Sequence, residues 1–420
     1  MKLENIIILF LLIIHSQVEA QLTNDSLSRK QMRETEKNKA PEKGDIYLLI
    51  TPTIGYNPSY GFIYGGGATM SAYLGDPKTT NISSALVGAN YTTLNQLILN
   101  IRSNVFTQDN QWMLSGDLRY MDSSQPTFGL GTGPQTSKLA NNGFEIDEDL
   151  FSAPIEEEQQ MSYKLIRVYQ TAMRKVKSNL YAGLGYHLDI FTDIKDELVD
   201  LNSTPPVITS HFAYNNKYGF NQQKTVLSGI SLNTTFDNRD NQNKAYRGNY
   251  AFLSYRVNPK FIGSDKNSST LWMEYRTYFD LTHNHKNMLC FWGIGNFTLN
   301  GNLPYMNLPA IGWDQFGRTG RGYNQGRFRG EQMIYGEAEW RKHILGTSKL
   351  PDLLGIVVFS NFTTATNSNA DIRLFRYIDP AFGAGVNIML LRKARTCIGL
   401  DYGIGSYGSS GFYIRLNEAF

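Results

Sequence analysis

From Asp45 to Phe420 the chain consists largely of short segments in which apolar and polar residues alternate. In one segment a row of apolar residues opposes a row of charged ones, namely Leu271, Met273, Tyr275, Phe279 and Leu281 against Glu274, Arg276 and Asp280. Alternation with a period of two is typical of β-strands whose two faces meet different surroundings. The pattern therefore predicts an all-β chain.

Two further segments indicate what those surroundings are. In one, the opposing rows are Ile334, Ala338 and Trp340 against Tyr335, Glu337, Glu339, Arg341 and His343. In the last segment they are Phe412, Ile414, Leu416 and Phe420 against Tyr413, Arg415 and Asn417. A transmembrane barrel encloses a polar lumen and turns apolar and aromatic residues toward lipid. Because charges recur on one face, the pattern favours such a barrel over a soluble β-sandwich.

Sixteen segments of this kind follow one another along the chain. They are 46–54, 60–73, 81–93, 96–106, 111–121, 161–174, 178–192, 225–236, 248–259, 269–281, 287–298, 332–344, 353–363, 379–391, 394–403 and 410–420. An even number of antiparallel strands brings both ends of the sheet to one side, and closure removes exposed sheet edges. We therefore predict a 16-stranded antiparallel transmembrane β-barrel.

The connections between the segments alternate in length. Short turns are expected at Pro77-Lys78, Lys177-Ser178, Asn284-His285 and Lys393-Ala394, and long loops at 122–160, 194–224, 299–331 and 364–378. Short periplasmic turns and long extracellular loops are typical of bacterial outer-membrane barrels. The expected location is therefore the outer membrane of a Gram-negative bacterium.

Charge and hydropathy exclude two other classes of protein. Of the 420 residues, 41% are hydrophobic and only 18% are charged. A formal net charge of +3 excludes a strongly basic nucleic-acid-binding protein. The mean hydropathy is −0.34, and no internal run reaches the ~18 apolar residues that a spanning helix needs, which excludes a polytopic helical membrane protein.

The first residues have the pattern of a targeting signal. Lys2 precedes an apolar run, and small and polar residues follow up to Ala20. This pattern predicts a secretory signal peptide over residues 1–20. Residues 21–44 are polar and charged, so we expect a flexible periplasmic linker there and the barrel over 45–420.

No set of residues indicates catalysis. The segment 403–408 has the spacing G-x-G-x-x-G, but no helix is predicted after it, so dinucleotide binding is not expected. His283 and His285 lie in a predicted turn without acidic or cysteine partners at metal-binding spacing. Cys290 and Cys397 are isolated within strand segments, which favours packed free thiols. We expect no enzyme, no cofactor and no metal site.

Four motifs in the second half of the chain occur in the order found in one known family. They are Asp237-Asn238-Arg239-Asp240-Asn241, Gly320-Arg321-Gly322-Tyr323 with the strand after it, Leu400-Asp401-Tyr402-Gly403, and the last segment ending in Phe420. Over roughly 225–420 the chain thereby resembles the Omp85 superfamily, the BamA/TamA-like bacterial surface antigen (D15) barrels.

The resemblance implies a long sixth loop that folds into the barrel and is held there by its arginine. The residues of this loop lock would be Arg321, Gly322, Tyr323, Glu337, Glu339 and Asn361. In relatives an acidic residue stands where this chain has Asn361, so one carboxylate partner of Arg321 is missing. A guanidinium inside a narrow lumen needs planar acceptors, which carboxylates supply. The alternative is that the two glutamates only line a polar lumen and that Arg321 lies in a mobile loop.

The last strand resembles an insertion signal of outer-membrane barrels. Its alternating residues are Phe412, Ile414, Leu416 and Phe420. Such a signal would be recognised by strand addition onto an exposed sheet edge. The alternative is a lipid-facing row with no further role.

The resemblance also bears on function. Relatives carry periplasmic POTRA domains that receive client proteins, whereas residues 21–44 leave no room for one, so we expect a barrel that lacks them. The first hypothesis is assembly or translocation of outer-membrane proteins through a weak seam between the first and last strands. A transport barrel or passive pore gated by the inserted loop is the second. The third hypothesis, which is the least expected, is a surface enzyme built on a barrel. The fourth is a structural subunit of a larger complex.

The expected partners follow from the predicted location. They are outer-membrane lipids and lipopolysaccharide, together with other outer-membrane proteins or assembly machinery under the first hypothesis. Nucleic acid is not expected, because the net charge is close to zero.

Overall fold

The computed structural model describes residues 42–57, 60–134, 145–147, 150–151, 158–315, 317–347, 352–391 and 395–420. The predicted signal peptide over 1–20, the predicted linker except for its last three residues, and the predicted turn at 393–394 lie outside these ranges. The described residues form one large sheet, a short hairpin, one α-helix and four 3₁₀ turns.

Sixteen strands form the large sheet, and each predicted segment corresponds to one of them. They are β1 Ile46–Asn57, β2 Gly61–Ala72, β3 Ser83–Thr92, β4 Leu97–Phe106, β5 Trp112–Thr127, β6 Gln159–Lys177, β7 Leu180–Asp196, β8 Thr225–Asp237, β9 Gly248–Asn258, β10 Ser268–Asp280, β11 Asn287–Gly301, β12 Gln332–Leu345, β13 Leu354–Ala365, β14 Asp379–Leu391, β15 Thr396–Gly405 and β16 Ser410–Leu416. Consecutive strands pair antiparallel throughout. The predicted all-β fold with sixteen antiparallel strands is confirmed.

The sheet curls until its first and last strands lie side by side. Because the number of strands is even, Ile46 of β1 and Leu416 of β16 lie at the same end of the barrel, which is named the terminal end. The opposite end is named the loop end. Within the described ranges, no backbone ladder joins β1 to β16.

The two faces of the sheet meet different surroundings, as the alternation predicts. On the outside, Leu232, Met273 and Phe382 expose 62%, 46% and 60% of their surface. On the inside, charged residues such as Arg256 and Glu339 are buried. Apolar residues outside and charged residues inside are typical of a barrel whose outer face meets hydrocarbon. In the part of the chain that the structure describes, no helix is long and apolar enough to cross a membrane.

The connection between β5 and β6 is shorter than predicted. The predicted loop over 122–160 loses residues at both of its ends, because β5 extends to Thr127 and β6 begins at Gln159. Within it, Glu145–Asp147 and Leu150–Phe151 form a two-stranded hairpin.

The connection between β7 and β8 contains the helix α1, Ser210–Tyr218, which was not predicted. Thr209 caps its first turn, since the hydroxyl accepts a hydrogen bond from the Phe212 amide at 3.1 Å. Tyr214 of this helix packs against Tyr305 of the β11–β12 connection, with ring centroids 5.8 Å apart. The two connections thereby support each other at the loop end.

A charge on the outer face tests whether that face meets lipid. Leu232→Arg is expected to destabilise the barrel by ~2–4 kcal/mol, because a lipid-facing guanidinium loses hydration. Leu201→Arg is the matched control: Leu201 is likewise exposed, at 53%, but lies in the β7–β8 connection, and the change is expected to be within ~0.5 kcal/mol. Unfolding by urea in lipid vesicles measures both variants. Equal effects would contradict a lipid-facing sheet.

Candidate functional site

The connection between β11 and β12, residues 302–315 and 317–331, folds into the barrel and is named the inner loop. Its own backbone hydrogen bonds give it a defined shape. The Ile311 amide donates to the Phe328 carbonyl at 3.1 Å, and the Gly326 amide donates to the Ile311 carbonyl at 2.9 Å. Ile311 and Phe328 are completely buried. The inner loop is therefore a folded element whose contacts with the wall determine its position.

Two glycines direct Arg321 toward the barrel wall. Gly320 and Gly322 have φ angles of +82° and +102°, a left-handed conformation that other residues adopt with strain. A Cβ atom on Gly322 would lie 2.7 Å from the Cβ of Ala381 on β14. On the wall, a Cβ atom on Gly403 would lie 2.7 Å from the Gly322 nitrogen. The glycines of the motif thus allow loop and wall backbones to approach closely.

Arg321 contacts three carboxylates of the wall. Its Nη2 atom lies 2.5 Å from Glu337 Oε1 and also contacts Glu339 Oε1, both on β12. Its Nη1 atom donates to Asp401 Oδ2 on β15 at 2.8 Å. The guanidinium also lies over the Phe359 ring of β13, 3.7 Å from the ring centroid. A buried guanidinium has lost its hydration, so these partners are what make its burial possible.

Asp401 supplies the third carboxylate for Arg321, which the sequence analysis did not predict. Its motif was noted, but its carboxylate was not assigned to Arg321. The inward parity of Asp401 on β15 was the available signal. Asn361, expected near the lock, donates from Nδ2 to the Arg321 carbonyl at 2.9 Å and lies 3.4 Å from Glu337 Oε2. Asn361 therefore holds the loop backbone, while Asp401 receives the guanidinium.

Tyr323 holds the inner loop to the last three strands. Its hydroxyl donates to the Pro380 carbonyl of β14 at 2.5 Å and accepts from the Ser406 amide at 3.0 Å. Its carbonyl accepts from the Tyr413 hydroxyl of β16 at 2.9 Å. The Tyr413 hydroxyl in turn accepts a hydrogen bond from the Gly322 amide at 3.0 Å. The structure thus brings all six residues of the predicted loop lock to one place.

Two of the lock carboxylates are shared with other arginines. Asp401 Oδ2 also accepts from Arg415 Nε on β16 at 2.7 Å. Glu339 Oε2 accepts from Arg341 Nε on β12 at 2.6 Å. Both arginines approach Glu418, which follows β16, at 3.4 and 3.8 Å. The contacts of Arg321 are therefore continuous with charges at the terminal end.

The last strand differs from its prediction at one residue. Phe412 and Ile414 lie in the outward row, and the side chain of Leu416 lies outside the described residues. The expectation that Phe420 continues this row is wrong, because Phe420 is buried inside the barrel with 3% of its surface exposed. The physical reason is Asn417, whose left-handed backbone (φ +66°) ends the strand and reverses the alternation.

At the seam, β16 lies on the lumen side of β1. Gly55 pairs with Ile63 in the inward row of β1, whereas Ile414 pairs with Leu400 in the outward row of β16. A Cβ atom on Gly55 would nevertheless lie 4.0 Å from the Cβ of Ile414. The last strand therefore overlaps the inner face of the first strand there.

The groups for which the sequence indicated no catalytic or metal-binding role differ in their distance from the loop lock. Cys290 pairs with Glu339 across β11 and β12, and Gly403 and Ser406 contact the inner loop. His283 and His285 are exposed in the β10–β11 turn. Cys290 and Cys397 are free and buried, as predicted. The segment 403–408 runs from β15 into the turn before β16. Among the described residues, no group of three His, Cys, Asp or Glu side chains could hold a metal ion.

Removing the central guanidinium is expected to release the inner loop. Arg321→Ala leaves three carboxylates buried with less compensating charge, which is expected to destabilise the barrel by ~3–5 kcal/mol. Arg321→Lys is expected to restore only part of this, since one ammonium cannot serve acceptors on both β12 and β15 and cannot stack on Phe359. Heat-modifiability on gels and protease cleavage of the inner loop measure the effect.

The matched control for this series is Arg373→Ala, because the Arg373 side chain is 85% exposed in the β13–β14 connection. It is expected to leave both properties unchanged. An inner loop that stays protected in Arg321→Ala would contradict the lock.

Replacing Asn361 by an acidic residue is expected to weaken the loop lock. Asn361→Asp removes the donor to the Arg321 carbonyl and adds a charge beside Glu337. An expected loss of ~1–3 kcal/mol follows from the unpaired acceptor and the repulsion. Asn361→Asp combined with Asp401→Asn is expected to be less damaging than the single change, because the number of carboxylates returns to three. Urea unfolding compares the variants, and a more stable Asn361→Asp would refute this account.

Comparisons with known proteins identify the fold. No protein-family model matches the chain, and no curated protein matches it. BamA from Haemophilus ducreyi lacking POTRA domains 1–3 has a TM-score of 0.55 at 15% identity, over 90% of this chain and 71% of that chain. CdiB from Escherichia coli has a TM-score of 0.51 at 10% identity, over 90% of this chain and 63% of that chain. The chain thus has the antiparallel β-barrel fold of BamA.

Proposed function

We propose that this chain is an outer-membrane β-barrel of the Omp85 type that assists assembly or translocation of outer-membrane proteins through the seam between β1 and β16. The single observation that carries the proposal is the seam itself. Every other neighbouring pair of strands is joined by a ladder, and among the described residues only this pair is not. An unpaired strand edge is a template onto which another chain can add a strand.

The local structure favours β1 as the accepting edge. Pro52 lies in the middle of β1 opposite Gly66 of β2, and proline occurs in strands where one edge lacks a partner. With seven residues, β16 is short beside the twelve of β1, so part of the β1 edge has no counterpart. An incoming strand could therefore pair with β1 without first breaking a complete ladder.

A passive pore has less support. The lumen contains the inner loop, whose Arg321 and Tyr323 are buried against the wall. Near the terminal end it contains Glu418 and Phe420, which are buried as well. A conducting route would have to pass both of these segments. The passive pore is therefore the second candidate function, and the conductance measurement described below tests it.

The same proposal gives the barrel its location and partners. An outer face of apolar residues suits the hydrocarbon of an outer membrane, and its lipids and lipopolysaccharide would be the immediate neighbours. The fold likeness to BamA and CdiB supports an outer-membrane barrel of the Omp85 type. Outer-membrane proteins or their assembly machinery would be the protein partners.

A disulfide across the seam tests the proposal directly. Gly55→Cys with Ile414→Cys places two sulfurs on Cβ atoms about 4.0 Å apart, within the range of a disulfide. Cys290 and Cys397 are first replaced by alanine. Under oxidation the locked barrel is expected to stay folded but to lose assembly of other outer-membrane barrels, and reduction is expected to restore it. Heat-modifiability of those barrels in cells depleted of the wild-type chain is the measurement.

The matched control is Tyr402→Cys with Phe412→Cys, which joins β15 to β16 at an outward pair whose ring centroids are 4.6 Å apart. This disulfide does not join β1 to β16, so assembly of other outer-membrane barrels is expected to be unchanged. If depletion of the chain leaves other barrels unaffected, the assembly role is wrong. A steady conductance in planar bilayers that rises when the inner loop is deleted would favour the pore instead.

A further inference from the structure

The segment that follows β16, residues 417–420, is named the tail segment and turns into the barrel at the terminal end. Asn417 makes the turn with its left-handed backbone. Its amide donates to the Cys397 carbonyl at 2.6 Å, and its Nδ2 atom donates to Asn243 Oδ1 in the β8–β9 turn at 3.2 Å. Beyond this one residue, the tail segment has left the sheet and contacts the inside of the barrel wall, the β8–β9 turn and Arg318 of the inner loop.

Glu418 is held by cations from separate elements. Its Oε1 atom lies 3.2 Å from Lys244 Nζ in the β8–β9 turn, and its Oε2 atom accepts from Asn387 Nδ2 of β14 at 2.7 Å. Burial alone would raise the pKa of the Glu418 carboxyl, but Lys244 and two arginines hold the pKa below its usual value. The carboxylate is therefore bound in its charged form.

Phe420 occupies an aromatic site two residues further on. Its ring lies 5.2 Å from the ring of Trp292 on β11 and 6.3 Å from that of Tyr278 on β10. Arg341 lies 5.0 Å above the same ring and donates from Nη2 to the Phe420 carbonyl at 3.0 Å. A carboxylate and an aromatic ring at this spacing thus contact complementary groups, and Arg341 contacts both of them.

Besides Arg415 of β16 and Arg318 of the inner loop, five groups of the wall and its β8–β9 turn bind the tail segment and are together named the tail socket. They are Lys244, Tyr278, Trp292, Arg341 and Asn387. Tyr278, Trp292, Arg341 and Asn387 belong to strands that are paired on both sides, so their backbone positions do not depend on the tail segment. Lys244 lies in the β8–β9 turn, which the tail segment also contacts at Asn243. The buried Nη1 atom of Arg341 has no hydrogen-bond partner among the described residues, which leaves a donor for a further acceptor. The socket is therefore built by the wall and only filled by the tail.

We propose that the tail socket is a peptide-binding site for segments in which a glutamate precedes an aromatic residue by two positions. The tail segment occupies it as an internal ligand, and when it leaves, the corresponding segment of another polypeptide takes its place. Because the tail segment continues β16, filling the socket from outside frees the last strand to move. This inference does not depend on the assembly role, since it is tested by binding to purified protein.

The test measures binding of a fluorescent peptide, Asn-Glu-Ala-Phe capped at both ends, to the full chain in detergent. The double variant Glu418→Ala with Phe420→Ala empties the socket and is expected to bind it at least about tenfold more tightly than the wild type, since burying one aromatic anchor in a matched site contributes this much. Phe420→Ala keeps the ion pairs of Glu418, so its affinity for the peptide is expected to lie between those of the double variant and the wild type. Phe412→Ala, on the outward face of the same strand, is expected to bind like the wild type.

Two altered peptides test whether the tail socket binds both the carboxylate and the aromatic ring. Asn-Gln-Ala-Phe and Asn-Glu-Ala-Ala are each expected to bind the emptied socket at least about tenfold more weakly. Equal binding of either peptide, or no gain in Phe420→Ala over the wild type, would overturn the proposal.

A second readout does not require a tail variant. Excess peptide added to the wild type should displace Phe420 and change the fluorescence of Trp292, and the change should vanish in Trp292→Phe. An unchanged spectrum at saturating peptide would count equally against the site.

Discussion

The barrel depends on how one guanidinium is enclosed. Arg321 has lost almost all contact with solvent, and such a charge is tolerated only where acceptors replace its hydration. Those acceptors come from two strands, Glu337 and Glu339 from β12 and Asp401 from β15. A planar fork with five donors can serve both strands at once, which a lysine cannot. Arg321 thus links the inner loop to two separate strands of the wall at once.

The same carboxylates extend this constraint to the terminal end. Asp401 is shared with Arg415 and Glu339 with Arg341, and both arginines reach Glu418. Each carboxylate therefore balances a cation of the inner loop and a cation nearer the tail segment. Moving either segment leaves a buried charge with fewer partners, and such a charge is strongly destabilising. The inner loop and the tail segment are, for this reason, parts of one electrostatic unit.

Most of the fold could be predicted from the sequence, because alternation follows directly from a sheet with lipid on one side and a lumen on the other. The same parity places Glu337 and Glu339 inward, where both contact Arg321. Asp401 was missed, since its contact with Arg321 joins residues far apart in the chain and arises only when the barrel closes. Phe420 was placed on the wrong face because a parity argument assumes an unbroken strand, and Asn417 breaks it.

The open seam and the filled tail socket can be explained together. To form a full ladder with β1, β16 would have to move outward from the lumen side of Gly55 and extend past Asn417. That movement would pull Glu418 away from Lys244 and Phe420 away from Trp292, exchanging a buried ion pair and an aromatic contact for a few backbone hydrogen bonds. A few net backbone hydrogen bonds contribute ~2–5 kcal/mol together, which breaking one buried ion pair at ~3–5 kcal/mol already offsets, and the lost aromatic contact adds ~0.5–1.5 kcal/mol to the cost. The tail segment therefore keeps the last strand inward and the seam unpaired.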